Sequence, residues 1–236
     1  MLGNKLINTN AGGGCTNTVD LYNPFPDGGG LALYQLNGNA TDVSGNYNGT
    51  ATSVTYGAGE FGQAGVFNGS NSTITNSLLR VSSTMSYSVW FKTTYTGRQC
   101  ILMLGNGSYS DGIELYSSTE FGSYFNQGIY YINCTTASSM SDGNWHNIVI
   151  TNNSTTSRLI YFDGVLLTPT TQGSTVGTRI GTGLIIGRLF QTPSYYFNGS
   201  IDQVRIFNRA LRPYEVEALY TEEYCTPTIV PSEHFN

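Results

Sequence analysis

Charge is scarce in this chain: only 11% of its 236 residues are charged, with 10 Lys and Arg against 15 Asp and Glu and a formal net charge of -5. A negative balance without a basic cluster repels phosphate backbones and has no counterions to release, which argues against nucleic acid as a partner. Also missing is any apolar run approaching the roughly 20 residues of a membrane-spanning helix. The opening "MLGNKLINTNAGGG" lacks the apolar core of a secretory signal. A soluble chain is therefore expected, not inserted in a membrane and not exported by that route. Cys15, Cys100, Cys134 and Cys225 are widely spaced with no CxxC pair. That spacing supports neither a zinc site nor a thioredoxin-like motif, and it leaves free buried thiols beside three disulfide connectivities.

What is present is aromatic and neutral-polar. Aromatics make up 13% of the chain, so solubility must come from Asn, Ser, Thr and Gly instead of ionised groups. Sequons at Asn48, Asn106 and Asn198 arise readily in such a composition and carry little weight. The length allows one large all-β domain or two small ones and is ample for a proper core; one domain is the expectation.

Residues 1–30 read as a Gly/Pro-rich arm, with "NTNAGGGCTN" and "NPFPDGGG" preventing regular pairing around a few apolar residues. From Leu31 to Tyr220, short apolar or alternating runs separated by Gly, Asn, Asp and Ser clusters give the pattern of a β-sandwich or barrel. The clearest strands are "LALYQL", "SYSVWFKTT", "CILMLG", "IELYS", "GIYYIN", "WHNIVIT", "RLIYFDG", "GLIIGR" and "DQVRIF". In "SYSVWFK", Tyr87, Val89 and Phe91 share one face, on the core, while Ser88, Trp90 and Lys92 share the other, nearer solvent. Asp163-Gly164 in "LIYFDGVLL" readily takes the positive φ angles of a tight hairpin turn. One helix is credible: "RPYEVEALY" puts Pro213 in a first turn and spaces Leu211, Tyr214 or Glu215, Val216 and Leu219 in a stripe. It is too short to stand alone and must lie on the sandwich. Residues 221–236 are a tail.

The stretches "LYQLNGNATDVSGNYNGT", "EFGQAGVFNGSNS", "SYSVWFKTT", "DGNWHNIVIT", "LIYFDGVLL", "LIIGR" and "FNGSIDQVRIFNRALRPYEVEALY" follow one another in a familiar order. In that order and spacing the chain resembles the laminin G-like, concanavalin A-like jelly-roll domains of bacterial surface, glycan-active and phage proteins. The resemblance implies an all-β jelly-roll fold of two antiparallel sheets face to face, to which the residue pattern adds the one short C-terminal helix. The last long strand should then pair with the opening "LALYQL".

Hydrolases occur in that family, where laminarinase-like members carry two catalytic Glu residues on one strand, about 5 Å apart for retaining cleavage. That strand is absent here. The nearest pair, Glu114 and Glu120, brackets the turn-like "LYSST", and neither His146 nor His234 has a paired Ser or Cys with a further acid. Trp145 and His146 match positions that, by resemblance, only pack. The chain is expected not to be an enzyme.

By the same resemblance Asp202 ligates a structural calcium ion, with Asn37, Asp42 and the carbonyl near Gly69 as partners, since calcium takes six to eight hard oxygens. The alternative is that Asp202 accepts hydrogen bonds from loop amides or pairs with Arg205 or Arg209. Several of the 17 tyrosines fall in expected loops, namely Tyr95, Tyr109, Tyr195 and Tyr196. Sugars stack on exposed rings while nearby Asn and Asp take hydroxyls, so "NGSYSDG" and "TPSYYFNG" nominate Tyr109, Asp111, Tyr195 and Tyr196 as glycan contacts. The expected function is a non-catalytic recognition or adhesion module for glycan or another surface ligand. Alongside it stands a structural role as a virion surface component, a capsid decoration or fibre protein anchored to other virion proteins by the arm. Its setting would be the virion surface or the extracellular space.

Overall fold

The computed structural model describes residues 29–82, 84–105, 110–125, 130–153, 158–172, 181–190 and 194–221. Tyr109, His234, Cys15 and Cys225, nearly all of the expected arm and the tail beyond residue 221 lie outside the described residues.

Two antiparallel eight-stranded sheets face one another. The first contains β1 (Gly30–Tyr34), β3 (Thr55–Ala58), β4 (Gln63–Asn68), β6 (Met85–Lys92), β11 (His146–Asn152), β12 (Arg158–Phe162), β13 (Val165–Leu166) and β16 (Asn198–Phe207). Their order is β13-β12-β11-β6-β16-β4-β3, with β1 also on β16. The second sheet contains β2 (Thr50–Thr52), β5 (Thr73–Val81), β7 (Gln99–Gly105), β8 (Ser110–Leu115), β9 (Glu120–Phe125), β10 (Tyr130–Thr135), β14 (Thr171–Gln172) and β15 (Gly181–Ile186). These are ordered β14-β10-β9-β8-β7-β15-β5-β2. One helix, α1 (Pro213–Tyr220), follows β16. Among the described residues no helix is long and apolar enough to cross a membrane.

All nine expected strands are found, with ends shifted by a few residues. Three long ones had no clear signal: "QAGVFN" of β4, "TITNSLLRV" of β5 and "EFGSYF" of β9. Each dilutes its alternation with Gly, Asn or Ser, and each is held by two neighbouring strands, so the ladder supplies what side-chain pattern does not. The last strand does pair with the first, Tyr34 opposite Val204 and Leu33 opposite Arg205. The tight turn also stands, with Asp163 and Gly164 at φ 47° and 75° joining β12 to β13.

Alternation sends Tyr87, Val89 and Phe91 of β6, Ile148 and Ile150 of β11, and Val204 and Ile206 of β16 inward. There they meet Leu102, Ile113, Leu115, Phe121, Ile132 and Leu184 of the second sheet. Between the sheets one polar network is also buried. Asp111 accepts from Tyr87 Oη and Ser123 Oγ, both at 2.8 Å, and pairs with Arg158 Nη2 at 3.0 Å. It ties β8 and β9 to β6 and β12 at a point where a charge alone would be costly.

The other side of β6 departs from expectation. Ser86 and Ser88 are fully buried and Trp90 is 5% exposed, so only Lys92 approaches solvent. Helix α1 is the cause: Leu211, Val216 and Leu219 pack on Val149, Tyr161 and Phe207, and Tyr220 stacks on Trp90 with ring centroids 5.7 Å apart. Glu215, not Tyr214, completes the buried stripe. It caps the helix through the Arg212 amide (2.7 Å) and takes a two-toothed ion pair from Arg209 (2.8 and 2.7 Å).

Candidate functional site

The stretch "IDQVRIF" carries a β-bulge. Asp202 lies opposite Trp90 and Arg205 opposite Ser88, and the surplus residue, Gln203, takes φ 47°. Asp202 thus points to the helix side of the first sheet, fully buried, where its Oδ2 accepts the Phe61 amide at 2.9 Å. A Cβ on Gly59 would lie 2.6 Å from that oxygen, so the tight turn before β4 closes directly on the carboxylate. Oδ1 makes no hydrogen bond, although the nearby Glu60 and Gln203 amides favour the ionised form. Burial outweighs these amides and pushes the Asp202 pKa up to about 7.

Of the residues expected around calcium, Asp42 and Asn37 have their side-chain oxygens taken by amides of the protein. Asp42 spends both oxygens on its own loop, accepting from the Leu33 amide at 2.8 Å, the Tyr47 amide at 3.1 Å, the Ser44 amide at 3.3 Å and the Ser44 hydroxyl. Asn37 Oδ1 is taken by the Gln63 amide at 2.7 Å. Gly69 lies four residues beyond Gly65, the partner of Ile201, which is roughly 13 Å of strand from that pairing. Among the described residues no three His, Cys, Asp or Glu side chains gather as metal ligands would. Asn37 and Asp42 thus have their oxygens engaged by protein amides, which an ion at Asp202 would have to displace. The loop-amide alternative for Asp202 is what the structure contains, while Arg209 goes to Glu215.

Asp111, expected to meet a glycan, is fully buried in the Arg158 network and is corrected to an internal residue. Its strand is half-hidden in sequence by "SDG", which looks like a turn but continues β8. Tyr195 and Tyr196 do lie in a loop, Tyr195 being 39% exposed with φ 54°. Its carbonyl accepts the Cys100 amide at 2.8 Å and so docks the loop on β7.

Beneath Tyr195 lies a group that the sequence pattern did not single out. The guanidinium carbon of Arg98 sits 4.3 Å from the centre of the Tyr195 ring and 5.3 Å from that of Tyr116. Arg98 Nε donates to Glu114 Oε1 at 2.6 Å; Glu114 is fully buried, while the Arg98 side chain is 43% exposed. That bond keeps Arg98 firmly protonated, whereas burial raises the Glu114 pKa against the pull of Arg98. Glu114 Oε2 is buried without a partner. Glu114 faces Gly122 on β9, and Gly122 faces Asn133 on β10. A Cβ on Gly122 would lie 2.4 Å from Asn133 Oδ1 and 3.0 Å from the Tyr116 ring, so glycine is what lets that ring lie across the strand. Tyr95, 47% exposed, stands over Gly97 in the loop that leads to Arg98. A clue was present in the sequence: Glu114 stands between Ile113 and Leu115 in an apolar strand, and a carboxylate there needs a cation.

His146 packs, as the resemblance implied. Its ring stacks on Phe162 at 5.0 Å, and its nitrogens meet Asp163 at 2.8 Å and Asp142 at 3.2 Å. Trp145 lies under Lys92. Glu120 is bonded to Asn133 at 3.3 Å. Cys100 and Cys134 are free, buried thiols.

The described residues form a two-layer antiparallel sandwich with an aromatic, arginine-centred patch on one face. Residues 67–217 match the family model of the concanavalin A-like lectin/glucanases superfamily, and the chain belongs to that superfamily. Curated proteins offer no sequence match. Among solved structures, domain 4 of an extracellular arabinanase from Geobacillus stearothermophilus, in complex with arabinotriose, is similar with a TM-score of 0.64 at 22% identity; the match covers 80% of this chain and 97% of that one. The binding domain of Paraclostridial Mosquitocidal Protein 1 follows at 0.63 and 18%, over 80% of this chain and 51% of that one. The botulinum neurotoxin serotype G binding domain gives 0.61 at 18%, covering 80% and 50%. This chain therefore spans about half the length of the toxin domains. At these identities the likeness is one of fold.

Proposed function

We propose that the protein is a non-catalytic saccharide-binding module whose ligand sits on the patch formed by Arg98, Tyr116 and Tyr195, with Tyr95 at its rim. The observation that carries this is the exposed Tyr195 ring stacked on a guanidinium that Glu114 holds in place. Such a ring offers a flat apolar surface to sugar C–H groups, and the fixed arginine offers donors to sugar oxygens. The arabinotriose bound to a domain of the same fold supports a saccharide. Against catalysis stands the engagement of both candidate acids: Glu114 is buried against Arg98 and Glu120 is bonded to Asn133. Saccharides that bind the wild type in a glycan array or by calorimetry should bind Tyr195→Ala at least about ten-fold more weakly, a ring-stacking loss of about 1.4 kcal/mol. Equal affinity would remove this site.

Display on a virion or other extracellular surface, with residues 1–28 as the anchor, is part of the same proposal and rests on the Gly-rich arm and its scattered apolar residues. Deleting residues 1–28 should abolish incorporation into particles while leaving a folded domain. Unchanged incorporation would exclude the arm as the anchor.

A further inference from the structure

We infer that the patch selects saccharides bearing a carboxylate, uronic or sialic acid residues, through the outward end of Arg98. This deepens the preceding assignment and depends on it. A guanidinium has five N–H donors in a fixed plane, and Glu114 engages only the one on Nε, at 2.6 Å. The four N–H groups on Nη1 and Nη2 meet no partner among the described residues, on a side chain 43% exposed. That free end is the edge that pairs in parallel with both oxygens of a carboxylate.

Two features, the clamp on the guanidinium and the rings beside it, make this more than an exposed arginine. The guanidinium is clamped on its edge by a buried carboxylate and on its face by Tyr195, so little side-chain freedom remains to be lost when an anion docks. Charge on this face is balanced, Arg98 and Arg188 against Glu114 and Glu120, so the pull on an anion comes from the unpaired fork itself. The rings of Tyr195 and Tyr116 border the free donors, so a pyranose carrying the carboxylate has an apolar surface beside its anionic group. A neutral sugar would use the rings and single donors of the fork, without the paired charge-assisted bonds that a carboxylate makes.

The test is calorimetry on the whole chain with two matched pairs: trigalacturonate against galactotriose, and 3′-sialyllactose against lactose. At least one acidic member should bind about ten-fold or more tightly than its neutral counterpart, and the difference should shrink as salt is raised. The pair that shows the preference tells uronate from sialate. Arg98→Lys keeps the charge but loses the fork; its acidic-ligand affinity should fall about ten-fold and by more than its neutral-ligand affinity, so the preference for the acidic member of the pair is lost. Equal affinity for acidic and neutral members, or full retention of the preference in Arg98→Lys with an unaltered melting temperature, overturns the inference and leaves saccharide binding intact. If no saccharide of either kind binds, the functional assignment itself fails and the inference falls with it.

Discussion

The two outer faces of the sandwich both carry a buried carboxylate, and they treat it in opposite ways. On the first sheet α1 and the turn at residues 59–62 close over Asp202, which faces Trp90 and loop amides and has one oxygen without a partner. On the second sheet no helix covers Glu114 among the described residues, and the acid is met by an arginine half in solvent. Burial raises both pKa values and a cation opposes it in each, Arg98 through a direct hydrogen bond to Glu114 and Arg205 as a lesser influence on Asp202. A covered face can use an acid only as a fastening for loops. An uncovered one can use it to aim a guanidinium outward.

The largest way to break the comparison is to open the covered face. Trp90 is wedged between Phe61 (ring centroids 5.5 Å apart) and Tyr220 (5.7 Å) with an indole N–H that finds no acceptor. Trp90→Ala should cost about 3–5 kcal/mol in denaturant unfolding. Trp90→Phe keeps a ring there and discards the orphaned donor, so most of that loss should return. Saccharide affinity should be the same in wild type and Trp90→Phe, and a loss there would mean that the covered face also contacts ligand.

A smaller effect follows from Asp202 itself. Its pKa is about 7 in the folded protein against an ordinary 3.8, so the folded state binds more protons than the unfolded chain between those values. Stability from this group is therefore greatest at low pH, falls as pH rises from about 4 to 7, and is level above that. The whole swing is at most about 4 kcal/mol. Asp202→Asn keeps an oxygen for the Phe61 amide and cannot ionise. Its melting temperature should be higher than wild type at pH 8, and the decline between pH 4 and 7 should flatten. A lower melting temperature for Asp202→Asn at pH 8, with calcium stabilising only the wild type, would mean that a cation holds this carboxylate after all.

Much of the covered face was legible in the sequence, because its elements announce themselves locally. Asp163-Gly164 marks a turn, Pro213 opens a helix, and "DQVRIF" alternates over enough residues to identify a strand. What was not legible depends on strands far apart in the chain. Ser88 and Trp90 look like a solvent face until α1, some 120 residues later, is laid over them, and Asp111 looks like a turn residue until Arg158 arrives from the opposite sheet. The patch shows the same limit. Tyr195 was identifiable as a loop aromatic, but Arg98 and Glu114 gain their meaning only from β7 and β8 being neighbours with Tyr195 folded on top. Single acidic residues in apolar strands were the available signal, and Asp202, Glu114 and Asp111 all carry it. Which of them meets a cation is decided by tertiary pairing.

The smallest expected effect is the most discriminating. Tyr195→Ala removes a ring that is 39% exposed and stands on a half-exposed side chain, and the residue holds φ 54°, where a side chain of any kind is strained. Nothing buried loses its packing partner: Arg98 keeps its bond to Glu114, and the backbone carbonyl that accepts the Cys100 amide is untouched. Unfolding stability should therefore change by about 0.5 kcal/mol or less, while saccharide affinity drops about ten-fold. Such a split between stability and binding is what an open face predicts and a covered face forbids. If Tyr195→Ala instead destabilises the fold by as much as Trp90→Ala, the second face is closed in the same sense as the first, and the patch is packing.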